Sequence, residues 1–147
     1  MSAITQRWFA FTQVEDRSGA SAAIAGVFSE RGVSFGSIST LDVHGGIGTM
    51  CVEFAASERL AQVLVRTLAR LAVVRAVDLV RADDARVRAV AVLAGVAVDP
   101  DTVAGVGVHR DGELVILTGP LPTVAAAVAD LRGGGAAVEA LTVLPPR

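Results

Sequence analysis

The residues best placed to do chemistry are Val14-Glu15-Asp16-Arg17-Ser18-Gly19-Ala20, where a short apolar run gives way to a helical pattern. A helix start presents unpaired N–H groups and the positive end of the peptide dipole. Such a place attracts a carboxylate. Gly19 lets a ligand approach the backbone closely, and Asp16 offers acceptors to an ammonium group. Amides for an anion beside an acid for a cation suit an amino-acid zwitterion. The same residues also read as an ordinary helix start, with Asp16 or Ser18 as the cap.

Other chemistry-bearing residues lead nowhere comparable. His44 and His109 both fall near predicted hairpin turns, and no further ligands stand at metal-binding spacing, so exposed turn histidines are expected. Cys51 lies mid-strand and reads as a small core residue. Gly105-Val106-Gly107 lacks the third glycine and following helix of a phosphate loop. Gly133-Gly134-Gly135 reads as a helix stop. No Ser–His–acid or Cys–His set stands at recognisable spacing, so neither catalytic residues nor a metal or cofactor is expected.

The elements that must position the first loop follow from periodicity. Trp8–Val14 is aromatic and β-branched and predicts a strand. A helix follows with Ala20, Ile24, Val27 and Phe28 on one face, stopped at Gly32. Val33–Val43 and Gly48–Phe54 predict strands joined by the hairpin signal His44-Gly45-Gly46. Ser57 caps a second helix with Leu60, Val63, Leu64, Leu68 and Leu71 along its apolar stripe. Val73–Val80 predicts a fourth strand. The order is a split βαβ, or ferredoxin-like, unit.

The charged break Arg81-Ala82-Asp83-Asp84 divides the chain into domains 1–83 and 84–147. Beyond it come strands at Val87–Leu93, Val103–Val108 and Leu114–Thr118, with turns at Asp99-Pro100-Asp101 and Arg110-Asp111-Gly112. A helix carrying Val124, Ala127, Val128 and Leu131 opens at Pro120 or Pro122, and Val138–Leu144 is the last strand. An internal repeat underlies this pattern. At an offset of 64 residues, Gly48-Thr-Met-Cys-Val meets Gly112-Glu-Leu-Val-Ile, Leu60 and Leu64 meet Val124 and Val128, and Ala72–Val80 meets Ala136–Leu144. The ten or so residues from Ala94 to Val103 leave no room for a first helix in the second copy. The expected fold class is α+β: a ferredoxin-like βαββαβ domain, then a reduced βββαβ half.

Composition narrows the function. The 147 residues are 52% hydrophobic and 19% charged, enough for a real core. Net charge is −2, and every basic residue other than the two histidines is arginine, scattered among acids without a basic stripe. That disfavours nucleic acid as a partner. One cysteine excludes an internal disulfide. No charged-then-apolar leader precedes the first strand. The longest apolar run, Val90–Val98, is about half of the roughly 20 residues a membrane helix needs. A cytoplasmic, membrane-free protein is expected.

Val14–Gly19, continued by Ile24-Ala25-Gly26-Val27-Phe28-Ser29-Glu30-Arg31-Gly32-Val33-Ser34 and Ser37-Ile38, resembles the ACT domain. Within that family it looks most like the small regulatory subunit of acetolactate (acetohydroxyacid) synthase, whose pattern is a strand, E-N/D-x-x-G, a helix ending I-A-G-L-F-S-R-R-G, then N-I-E-S-L. The likeness continues by pattern through Val80, and Glu113–Leu144 resembles the subunit's C-terminal domain more faintly.

The resemblance implies a homodimer formed through the ACT sheets. It implies an amino acid, valine or a related product, held between the first loop of one copy and the second strand of the other. It further implies a catalytic large subunit, a thiamine-diphosphate enzyme of branched-chain amino acid biosynthesis, under allosteric control. Carried across, Asp16, Ser18, Gly19 and Ala20 would form one wall and Ser34 and Phe35 the other. The family usually has Asn where this chain has Asp16 and Ser34. An acid at 16 repels a bound carboxylate unless the ammonium lies between them. A free-standing amino-acid sensor and a ligand-free structural adaptor are the alternative functions.

Overall fold

The computed structural model describes residues 4–95 and 103–146. The chain divides into two compact units, 1–81 and 82–147. In the first unit, β1 (Gln6–Glu15) leads to α1 (Ala20–Glu30), then β2 (Phe35–His44), β3 (Ile47–Ala56), α2 (Glu58–Ala69) and β4 (Val74–Arg81). The sheet order is β2-β3-β1-β4, with every neighbouring pair antiparallel. This is the βαββαβ ferredoxin-like arrangement.

The first strand in sequence is central in space. Trp8 to Thr12 are buried at every position. Trp8, Ala10 and Val14 face Ile24, Val27 and Phe28 of α1 and Ala61, Leu64 and Leu68 of α2 in one core. Phe28 anchors that core, its ring 5.0 Å from Phe54 and 6.1 Å from Phe35. Phe9 and Phe11 alternate to the other face and are buried too. All four residues expected on the buried face of α1 are there. In α2 the fully buried line is Ala61, Leu64 and Leu68, with Leu60 and Leu71 half-buried at its margin. Ser57 caps α2, its Oγ accepting from the Leu60 amide at 3.2 Å.

The second unit contains β5 (Arg88–Ala94), β6 (Gly107–Asp111), β7 (Leu114–Pro120), α3 (Leu121–Gly133) and β8 (Ala137–Leu144). Its order, β6-β7-β5-β8, repeats the first sheet strand for strand. Among the described residues no helix lies between β5 and β6, and the expected turn at Asp99-Pro100-Asp101 falls outside them. Alternate residues Ala89, Ala91 and Leu93 of β5 are buried, as are Val124, Ala127 and Val128 of α3. Near the start of the second unit, Asp84 accepts from the Arg86 amide at 2.9 Å and ion-pairs with its guanidinium at 2.8 Å. Those bonds hold the Asp84 carboxyl down at about 2.

Two sequence expectations are corrected. The strand expected at Val103–Val108 begins at Gly107, because Gly105 takes a left-handed φ of +77° and turns the chain. The pairing of Gly48 with Gly112 also fails. Gly48 lies inside β3, opposite Val14 and Val43. Gly112 sits in a hairpin turn at φ +60°, the value taken by Gly45. The offset between copies is 67 at the start of β3 and β7 and 64 at their ends, because β7 is three residues shorter.

Replacing Leu64, which is fully buried, with Ala removes core contacts and leaves a cavity; a loss of about 2–5 kcal/mol is expected. Ser57→Ala removes only the cap and should cost about 1 kcal/mol. Urea titration of the two variants should rank them in that order.

Candidate functional site

The loop after β1 is built by the sheet. The Glu15 amide donates to the Val73 carbonyl at 2.8 Å, and the Asp16 amide to the Gly46 carbonyl at 2.9 Å. Glu15 is also ion-paired with Arg75 at 3.0 Å and Arg17 at 3.3 Å. The Ala20 amide turns back to the Arg17 carbonyl at 3.2 Å. The first helical bond runs from the Ala23 amide to Gly19, so the Ser21 and Ala22 amides precede any intrahelical acceptor.

Neither Asp16 nor Ser18 caps this helix, which replaces the cap reading of the sequence. Gly19 occupies the N-cap at φ 88°, ψ −7°, and no side chain bonds the first turn. A Cβ on Gly19 would meet nothing within 4 Å. The glycine is therefore required by backbone conformation, in front of open space. Asp16, Ser18 and Gly19 are exposed, whereas Ala20 is buried and packs inward.

Ser34 and Phe35 lie elsewhere. Phe35 starts β2 and Ser34 precedes it, whereas the first loop follows the end of β1. Both strands run antiparallel to β3 between them, so within one chain the two sets of residues occupy opposite ends of the sheet. Ten residues of strand separate them, about 30 Å at 3.3 Å per residue.

Around Ser34 and Phe35 there is a recess of about 330 Å³, lined also by Arg7, Gly36, Glu53, Phe54 and Ala55. Arg7 and Glu53 form an ion pair across it, and the Arg7 guanidinium lies 5.6 Å from the centre of the Phe9 ring. β2 bulges between Phe35 and Ser37. Gly36 lies so close to Glu53 that a Cβ there would meet its Oε2 at 3.3 Å. The walls are largely apolar, and the one charge pair is mutually neutralised. The recess suits a small apolar group with a polar rim.

Sequence reasoning did not find Arg7, Glu53, Phe54 or Ala55. Their juxtaposition depends on the β1–β3 register, which sets Arg7 opposite Ala55 and Phe9 opposite Glu53. A single arginine near the start of β1 and a single glutamate in β3 were the only available signal. Among the described residues no group of three or more His, Cys, Asp or Glu could hold a metal ion. Among the described residues no helix is long and apolar enough to cross a membrane. Cys51 is buried in β3, and burial first, then the Glu53 charge, pushes its thiol up to about 12.

No family model matches the chain, and no curated protein does. Solved structures do. The acetolactate synthase small subunit of Thermotoga maritima superposes with a TM-score of 0.63 at 16% identity, over 94% of this chain and 92% of that one. The chain shares the fold of that small subunit. The small-subunit likeness spans nearly the whole chain, well beyond the loop that first suggested it. The regulatory subunit of aspartate kinase from Thermus thermophilus, in its ligand-free form, matches at 16% identity over 90% of this chain and 98% of that one. Its TM-score is 0.49, and it adds nothing to the assignment.

Two outcomes are expected here. Gly19→Ala forces a side chain into a left-handed conformation and should cost about 1 kcal/mol without any clash, measurable by thermal unfolding. The Cys51 thiol should resist iodoacetamide at pH 8 in the folded protein and react at once in 6 M guanidinium, as read by mass spectrometry.

Proposed function

We propose that this protein is a non-catalytic regulatory subunit that binds an amino acid, with an ACT domain at 1–83 and a small-subunit-like α+β domain at 84–147. In this reading it works in the cytoplasm as a homodimer joined through the β2 edges of two ACT sheets. It controls a catalytic subunit of the acetolactate synthase type.

One observation carries the reading. The loop at Asp16–Gly19 and the recess at Ser34–Phe35 lie at opposite ends of one sheet, so a site built from both would draw one half from each of two copies. β2 is an edge strand, and two such edges paired antiparallel bring the loop of one copy to the recess of the other. The first loop then supplies the Ser21 and Ala22 amides for a carboxylate and Asp16 for an ammonium group. The recess takes an apolar side chain of valine size. Control of a partner enzyme requires only differential affinity for its two states, about 1–3 kcal/mol.

Asp16 and Ser34, in place of the usual amides, favour a second reading, a free-standing sensor of a different amino acid. Calorimetry against the twenty amino acids separates the two. Binding of valine, leucine or isoleucine, lost in Gly19→Val, supports the first. Binding of a charged or polar amino acid supports the second. Flat titrations with all twenty, together with capture of a synthase large subunit, would leave a structural adaptor. Neither ligand binding nor capture of a large subunit would remove the regulatory proposal.

A further inference from the structure

The arginines are scattered along the sequence, but α2 brings three of them into one line. Arg59, Arg66 and Arg70 follow one another at intervals of seven and four residues. With 3.6 residues per turn they fall within about 40° of one another around the helix axis. All three are exposed, and Val63, on the same line between Arg59 and Arg66, is half-buried. Glu58, the acid of the first turn, points about 100° away from Arg59.

Elsewhere the first unit neutralises its arginines. Arg7 pairs with Glu53, and Arg17 and Arg75 both pair with Glu15. Among the described residues the side chains of Arg59, Arg66 and Arg70 form no ion pair or hydrogen bond. Their placement does not serve the helix. Arg66 and Arg70 are four residues apart, the spacing at which like charges on a helix repel. Arg59 stands second in α2, at the end where the peptide dipole disfavours a cation. The stability of α2 comes from its opposite side, where Ala61, Leu64 and Leu68 are buried.

The line has a specific chemical complement. A guanidinium grips a carboxylate through two parallel hydrogen bonds. The three arginines are spaced about 10.5 Å and 6 Å along the axis, at 1.5 Å per residue. One side of an acidic helix presents carboxylates at those same intervals, seven and four residues apart. Val63 gives such a helix an apolar contact between the first two charges. Nucleic acid and anionic membranes fit less well, because the whole chain carries a net charge of −2 and repels a polyanion at long range.

We propose that α2 is a docking surface for an acidic helix of the catalytic partner, held by Arg59, Arg66 and Arg70 around Val63. The surface rests on the regulatory reading above for its partner and adds where that partner sits.

The full-length triple variant Arg59→Gln, Arg66→Gln, Arg70→Gln tests the surface. Its control is the triple variant Arg31→Gln, Arg88→Gln, Arg132→Gln, which changes net charge equally at exposed positions of other elements. Glutamine is nearly as good a helix former as arginine, so both variants should keep the wild-type circular dichroism. Each is titrated by calorimetry against the purified acetolactate synthase large subunit of the same organism. The α2 variant should raise the dissociation constant about tenfold or more, and the control by less than about threefold. Wild-type affinity should fall with added salt, and the α2 variant should lose most of that dependence.

Equal losses in the two triple variants, or no loss in either, overturn the docking surface and leave the regulatory subunit standing. So does a line of arginines that binds phosphatidylserine vesicles or duplex DNA while large-subunit affinity ignores it. A wild-type chain that never binds a large subunit removes the regulatory reading, and the surface with it.

Discussion

The arrangement around the first loop depends on the central position of β1. A strand held on both sides cannot shift register without moving every residue of its core face to the other side of the sheet. β3 and β4 both pair with it, and beyond its last residues the Glu15 and Asp16 amides are taken by carbonyls from two different loops. The backbone therefore arrives at Gly19 in a fixed place. The left-handed glycine then lets the chain enter α1 without a side-chain cap, leaving the first-turn amides facing outward.

The second unit solves the same packing problem with less material. It keeps the strand order of the first and, among the described residues, one helix, α3, against its sheet. A four-stranded sheet needs one covered face to be stable, and a core of alanine, valine and leucine fits closely under a single helix. Its β7 is three residues shorter than β3, yet the strand order is the same.

Much of the fold was legible in the sequence because the elements are strongly periodic. The buried residues of α1 match the apolar positions read from spacing, and Ser57 occupies its expected place. What spacing cannot supply is register. Arg7 and Glu53 are 46 positions apart and meet only because β1 and β3 pair in one alignment. The two groups of candidate residues, assigned to different copies by the resemblance, lie at opposite ends of one sheet. Gly48 and Gly112 misled because matching letters at a fixed offset ignore the length of the strand between turn and helix. The cap at Asp16 or Ser18 was a reasonable inference from residue type, yet the left-handed Gly19 took that position by conformation alone.

The aromatic residues are distributed unevenly: the lone tryptophan and all five phenylalanines precede position 55. Trp8 is buried, and its indole N–H donates to the Ala56 carbonyl at 2.9 Å. Near-ultraviolet absorption and indole emission therefore originate wholly in the first unit, and the second is optically silent. The molecule carries its own spectroscopic label, through which melting of one half can be followed while the amide signal in the far ultraviolet reports on both.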